Sequence, residues 1–98
     1  VRAQARSCLD LLLRTAEQDL TQFYASGFQE ANERGAEAVA HYRKSNDEWL
    51  QYRDAECARR AANPPAGIPG ELAHMACMVE LTRRRGHQRR FTSTTERR

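Results

Sequence analysis

Three cysteines and three histidines carry the widest chemical repertoire in the 98-residue chain. The cysteines stand at 8, 57 and 77, with no Cys-x-x-Cys pair, and the histidines at 41, 74 and 87. His74 and Cys77 are i, i+3 neighbours, so a helix sets them on one face, and with Cys57 they could offer a metal three ligands. Structural zinc takes four ligands in recognisable pairs, so no metal is expected. Nucleophilic catalysis needs a thiol or hydroxyl beside a histidine held by an acid. His41, His74 and His87 lie in no such motif, and no Gly-rich turn presents a nucleophile. The carboxylate pairs Asp47/Glu48 and Asp54/Glu56 are i, i+1 and i, i+2 neighbours, which point different ways on a helix and read as solvated faces. No enzyme, no catalytic residue and no cofactor is expected.

A disulfide is the better reading for two of the thiols. Cys57 and Cys77 flank a Pro/Gly stretch, and a bond between them would close a loop of about 20 residues and contribute ~3 kcal/mol. Such a bond would place the chain in an oxidising compartment. Counting alone leaves open the alternative of three buried, reduced thiols in a cytosolic protein. With 57 and 77 paired, Cys8 is an unpaired thiol, with a mate outside the chain, an intermolecular bond or no bond at all.

Charge divides the chain more sharply than its net +3 suggests. Residues 83–98 hold seven Arg (83, 84, 85, 89, 90, 97, 98) against one Glu, giving +6, whereas residues 1–82 sum to −3. The Arg-rich end could grip phosphates, but beyond Phe91 it has no interleaved aromatics and matches no nucleic-acid motif, so it reads as a solvated tail. A basic nucleic-acid-binding helical protein is kept only as a second alternative. The longest apolar run is Leu11-Leu12-Leu13, far short of a membrane span. The chain opens on Val1 rather than Met, as expected of a fragment or a processed product.

The elements that must hold these residues are helices. Ala5, Leu9, Leu12, Ala16, Leu20, Phe23 and Gly27 step by three or four, predicting a first helix over about residues 3–33, widened by Cys8, Leu13, Tyr24, Phe28 and Ala31. Gly27 on that stripe permits a close backbone approach, and Gly35 punctuates the end. Val39, Tyr42, Asn46, Trp49, Arg53 and Cys57 mark a second helix over about 36–62. Its stripe joins the only Trp, an Arg and a thiol at i, i+4 and i+8. An Arg there is costly unless paired, which points to Glu17 or Asp19 on the first helix or Glu80 on the third. Trp49 is assigned to the core; Tyr52, about a quarter turn away, is left open between packing and an exposed interface anchor. The stretch 63–70 contains all three Pro and cannot be helical. A shorter third helix, apolar nearly all round, is expected over about 71–85, with Gly86 ending it. The expectation is all-α: two long antiparallel helices with a shorter third packed across them, in one domain (1–86), followed by a basic, disordered tail (87–98).

Around Trp49 the chain resembles the lysozyme-inhibitor LprI-like family of small secreted or lipid-anchored bacterial proteins. That family carries a Trp, a short spacer and an aromatic-Arg-Asp-Ala-Glu-Cys run, here Trp49 and then Tyr52-Arg53-Asp54-Ala55-Glu56-Cys57. Cys8, Ala16-Glu17, Leu20 and Tyr24 fall in the family's upstream places, and Cys77, Leu81-Thr82 and Arg85 in its downstream ones. The resemblance covers roughly residues 5–88. Departures include Thr21 where the family has Asn, Asp47-Glu48 ahead of the Trp, and a Pro-rich loop around Gly67 in place of Gly-Gly-Ser.

The resemblance implies an exported, oxidised envelope protein whose helices are clamped by Cys57–Cys77. It implies a structural motif of Tyr24, Trp49, Arg53, Asp54 and Arg85; Tyr52 and Glu56 are kept separately as candidate partner-binding residues. The expected function is a periplasmic or surface-exposed inhibitor or immunity-type protein acting on a lysozyme or other cell-wall hydrolase. A non-inhibitory envelope interaction module, or a homodimeric scaffold cross-linked through Cys8, is the alternative. Membrane attachment is expected only through a lipid anchor outside this chain. Strongly basic lysozymes would favour an acidic face, which the −3 body permits and the +6 end opposes.

Overall fold

The computed structural model describes the backbone of residues 2–96 and the side chains of residues 3–88. It is all-α, with helices α1 (Arg2–Arg34), α2 (Ala36–Ala62) and α3 (Gly70–Glu96). Gly35 alone separates α1 from α2. Its φ of 115° lies in the left-handed region, its N–H donates to Ala31 O (3.1 Å) and its carbonyl accepts from Val39 N–H (3.2 Å). Tyr42 then returns to α1, stacking edge-on against Phe28 (centroids 4.8 Å apart) and donating to the Phe23 carbonyl at 3.4 Å. Its ring occupies the space a Cβ on Gly27 would need, which is the close approach expected of that glycine.

Cross-helix pairs fix the remaining directions. Asn46, Arg53 and Cys57 meet Arg85, Thr82 and Cys77 in that order, so α2 and α3 are antiparallel. Arg6 meets Glu71 at 2.6 Å and Asp19 meets His87 at 3.0 Å, so α1 and α3 run parallel. Helix α3, shorter than α1, packs against both others, and α1 packs more extensively on α3 than on α2. The result is an elongated up-down-up bundle of 49 × 25 × 22 Å. Ala16, Leu20 and Ala31 of α1, Cys57 of α2, and Cys77, Val79 and Leu81 of α3 form the buried apolar core. The Cys57–Cys77 disulfide (Cα–Cα 5.4 Å) clamps α2 to α3, with Leu81, Trp49 and Met78 packed around it.

Two local expectations are corrected. The α1 stripe holds from Ala16 onward but slips before it: Leu12 is 43% exposed and Cys8 is exposed, while Leu9 and Leu13 turn partly inward. Upstream of Ala16, Arg6 meets Glu71 of α3 and Leu9 lines a cleft with Ala76 and Val79 of the same helix. The second correction concerns Gly86, which does not stop α3. Glycine inside a helix costs only about 1 kcal/mol, and here its missing side chain is used for packing. A Cβ on Gly86 would lie 3.1 Å from Leu20 N and 3.2 Å from the Asp19 carbonyl carbon. The disordered tail expected after residue 86 lies, apart from the side chains of His87 and Gln88, outside the described side chains.

Candidate functional site

Trp49, at the middle of α2, faces the seam where all three helices meet. The Arg85 guanidinium carbon lies 5.4 Å from the Trp49 ring centroid and 5.4 Å from that of Phe23, so a cation from α3 is held against rings from α2 and α1. Arg85 Nη2 also donates to Asn46 Oδ1 at 3.3 Å, and Asn46 is only 5% exposed. Among the described residues, Tyr24 Oη, Asn46 Nδ2 and Arg85 Nε are buried with no hydrogen-bond partner. Burial pushes the Tyr24 phenol above its ordinary value of 10.0, with the nearby Arg85 charge working the other way. Rings are suitable neighbours for a cation in such a place. They supply electrostatic attraction without a second charge that would also have to be desolvated.

Arg53 stands on the same side of α2, its side chain 12% exposed and its guanidinium carbon 5.6 Å from the Trp49 ring centroid. Its Nη1 donates to Thr82 Oγ1 (3.3 Å), and Nε and Nη2 reach Asp54 Oδ1 at 3.0 and 2.9 Å. The expected acid on α1 or α3 is therefore corrected. Asp19 is engaged by His87, Glu80 by Arg60 and Arg84, and Glu17 is exposed. The carboxylate comes instead from the next residue on the same helix, where it stays 63% exposed, and α3 supplies a fully buried hydroxyl. A hydroxyl costs far less to bury than a second ionised group.

A second polar system ties α2 to α3 beside the disulfide. Glu56 accepts from Arg59 Nε and Nη2 at 3.0 and 2.8 Å and from Arg60 Nε at 2.9 Å. Arg60 reaches on to Glu80 (3.4 Å), which also takes Arg84 (3.3 Å). The hydrogen bonds from Arg59, then Arg60, hold the Glu56 carboxyl down to about 2 from its ordinary 4.5.

The residues singled out from the sequence thus fall into distinct places. Tyr24, Trp49, Arg53 and Arg85 gather at the three-helix seam, Asp54 meets Arg53 from the exposed side, and Cys57 and Cys77 are bonded beside it. Glu56 is bound into the arginine network, while Tyr52 stands 54% exposed. Cys8 carries a free, exposed thiol. Sequence reasoning placed Phe23 and Asn46 on inward stripes without seeing that they hold Arg85. It gave Thr82 no role beyond its place in the resemblance. A single sequence contains no pattern that pairs positions on different helices, so only the inward phase of these residues was available as a signal.

A family model described as Lysozyme inhibitor LprI matches residues 1–88. No curated protein and no solved structure gives a significant match. The matched span includes the disulfide, the Trp49 seam and the α2–α3 connection. The chain therefore belongs to the LprI family of lysozyme inhibitors, proteins that block an enzyme rather than act as one.

Proposed function

We propose that this protein acts outside the bacterial cytoplasm, in the periplasm or at the cell surface, as an inhibitor or immunity protein that binds a lysozyme or another peptidoglycan hydrolase. The observation that carries this reading is the family match over residues 1–88, within which Cys57 and Cys77 form a buried disulfide. Such a bond persists in oxidising compartments. No described helix is long and apolar enough to cross a membrane. Two of the three arginines from 83 to 85 are already engaged within the bundle, Arg84 by Glu80 and Arg85 by the two rings. The test is lysis of peptidoglycan suspensions by a panel of animal and bacterial lysozymes, with and without the oxidised protein. Slower lysis by at least one enzyme is expected, and unaffected lysis across the panel would count against the inhibitory role.

One observation favours the alternative of a homodimeric scaffold. Cys8, Leu11, Leu12 and Thr15 share a face of α1, all exposed, with Leu11 at 65%. A second copy docked there would place its Cys8 in reach for a cross-link. Sedimentation at increasing concentration, with and without reductant, separates the readings, since the inhibitory role needs no self-association.

A further inference from the structure

We infer that the α2–α3 connection, residues 63–69, is the element that enters the partner's substrate cleft, an inference that rests on the inhibitory reading above. It is the only connection among the described residues with any reach, since Gly35 alone joins α1 to α2. Every residue from Asn63 to Ile68 is exposed, and the apolar Ile68 is 44% exposed. In a chain that is 30% charged, the run from Ala61 to Gly70 holds no charged residue at all.

The loop is also built to keep its shape. Pro64, Pro65 and Pro69 fix three backbone angles. Asn63 N–H donates to Arg60 O (3.2 Å), Ile68 N–H to Pro65 O (3.0 Å) and Ala73 N–H to Pro69 O (3.0 Å). At its base the helices are pinched together: a Cβ on Gly70 would lie 2.8 Å from Ala61 O. Cys57 and Cys77, about one and a half and two turns respectively from the helix ends that flank the loop, lock the same pair of helices covalently. A segment held this way gives up little conformational freedom on binding, and preorganisation of that kind raises affinity.

Its chemistry matches a cleft that cuts a sugar chain. Glycosidases flank the scissile bond with two carboxyl groups, in a groove that receives sugar rings. Next to those groups a carboxylate on the plug would be repelled at close range even in an enzyme whose outer surface is basic, whereas a neutral plug with proline and isoleucine surfaces can lie against the groove walls. It also offers no glycosidic bond to cut. A cleft of about 530 Å³ beside the loop, with Pro65, Ile68, Leu72 and Ala73 on its walls and Arg59, Arg60 and Glu80 also lining it, could receive the lip of such a groove.

The experiment measures inhibition of a susceptible lysozyme by the oxidised protein and by two variants. Ile68→Asp places a carboxylate on the loop and is expected to weaken inhibition about thirtyfold or more, as loss of an interface anchor does. Gln29→Asp adds the same charge on exposed α1 and is expected to leave inhibition within about twofold, the range of a rim change. Thermal unfolding of each confirms that the bundle is intact. In addition, a chitin oligosaccharide occupying the cleft is expected to compete with the inhibitor. If the wild-type chain inhibits while Ile68→Asp inhibits equally, or the oligosaccharide has no effect, the loop assignment falls and the inhibitory reading stands. If the wild-type chain inhibits no enzyme of the panel, both fall.

Discussion

Arg85 of α3 rests with its guanidinium carbon 5.4 Å from the ring centroid of Trp49 on α2. Phe23 of α1 holds the same cation from its own ring, again at 5.4 Å, so one arginine touches every helix of the bundle through rings or through Asn46. Cation–ring contacts contribute about 0.5–2 kcal/mol each, more when desolvated. Arg85→Ala is expected to cost about 2–4 kcal/mol in urea unfolding, because it also removes the hydrogen bond to the buried Asn46. Arg85→Lys should recover less than half of that, since an ammonium has no plane to lay on a ring. A loss below ~1 kcal/mol for Arg85→Ala would show that the stack contributes little.

Arg53 separates two contributions that a sequence cannot. Its pairing with Asp54 is largely solvent-exposed on the acid's side, and such pairs contribute about 0–1 kcal/mol. Its contact with Thr82 lies in the interior, where an abandoned partner costs about 1–3 kcal/mol. Asp54→Asn should therefore be mild and Arg53→Ala severe, with a small coupling energy between them in a double-mutant cycle. A coupling that accounted for most of the Arg53→Ala loss would assign its role to the ion pair instead.

Removing the disulfide by Cys57→Ser with Cys77→Ser is expected to cost about 3 kcal/mol from loop closure. The loss should appear equally when the wild-type protein is reduced, which guanidinium denaturation with and without dithiothreitol would measure. Retention of the midpoint under reduction would contradict it.

Acid titrates the Glu56 network. Because its folded value, about 2, lies below the ordinary 4.5, the carboxylate contributes stability that is fully present above pH 4.5 and is lost as pH falls toward 2. The stability difference between wild type and Glu56→Gln should be flat above pH 4.5 and shrink across that window. Equal differences at pH 6 and pH 2.5 would mean that the arginines do not hold the carboxyl down.

Much of the fold was legible because its punctuation is local. Gly35 and the proline cluster bound α2 at both ends, and the predicted limits coincide with Ala36–Ala62. Gly86 carries the same letter as Gly35, yet α3 runs through it, because close packing against Asp19 and Leu20 outweighs a weak local preference. Leu12 was misplaced because the stripe was extended evenly along α1, whereas the inward phase shifts upstream of Ala16. The central residues were legible in kind and not in connection. An arginine on an inward stripe had to be satisfied, but that aromatic rings and a threonine would satisfy two of them depended on the register between helices. The resemblance drew Tyr24, Trp49, Arg53 and Arg85 together where periodicity could not.

The covalent clamp sits toward one end of the bundle, beside the loop, while the Gly35 turn and the ring of Tyr42 packed on Phe28 stand at the opposite end of the α1–α2 pair. Breathing of the molecule should be lopsided in consequence. Amide protons near the turn are expected to exchange with deuterium through partial fraying, whereas those around Cys57, Cys77 and Thr82 should wait for complete unfolding. The pole proposed to meet a partner is then the quiet one.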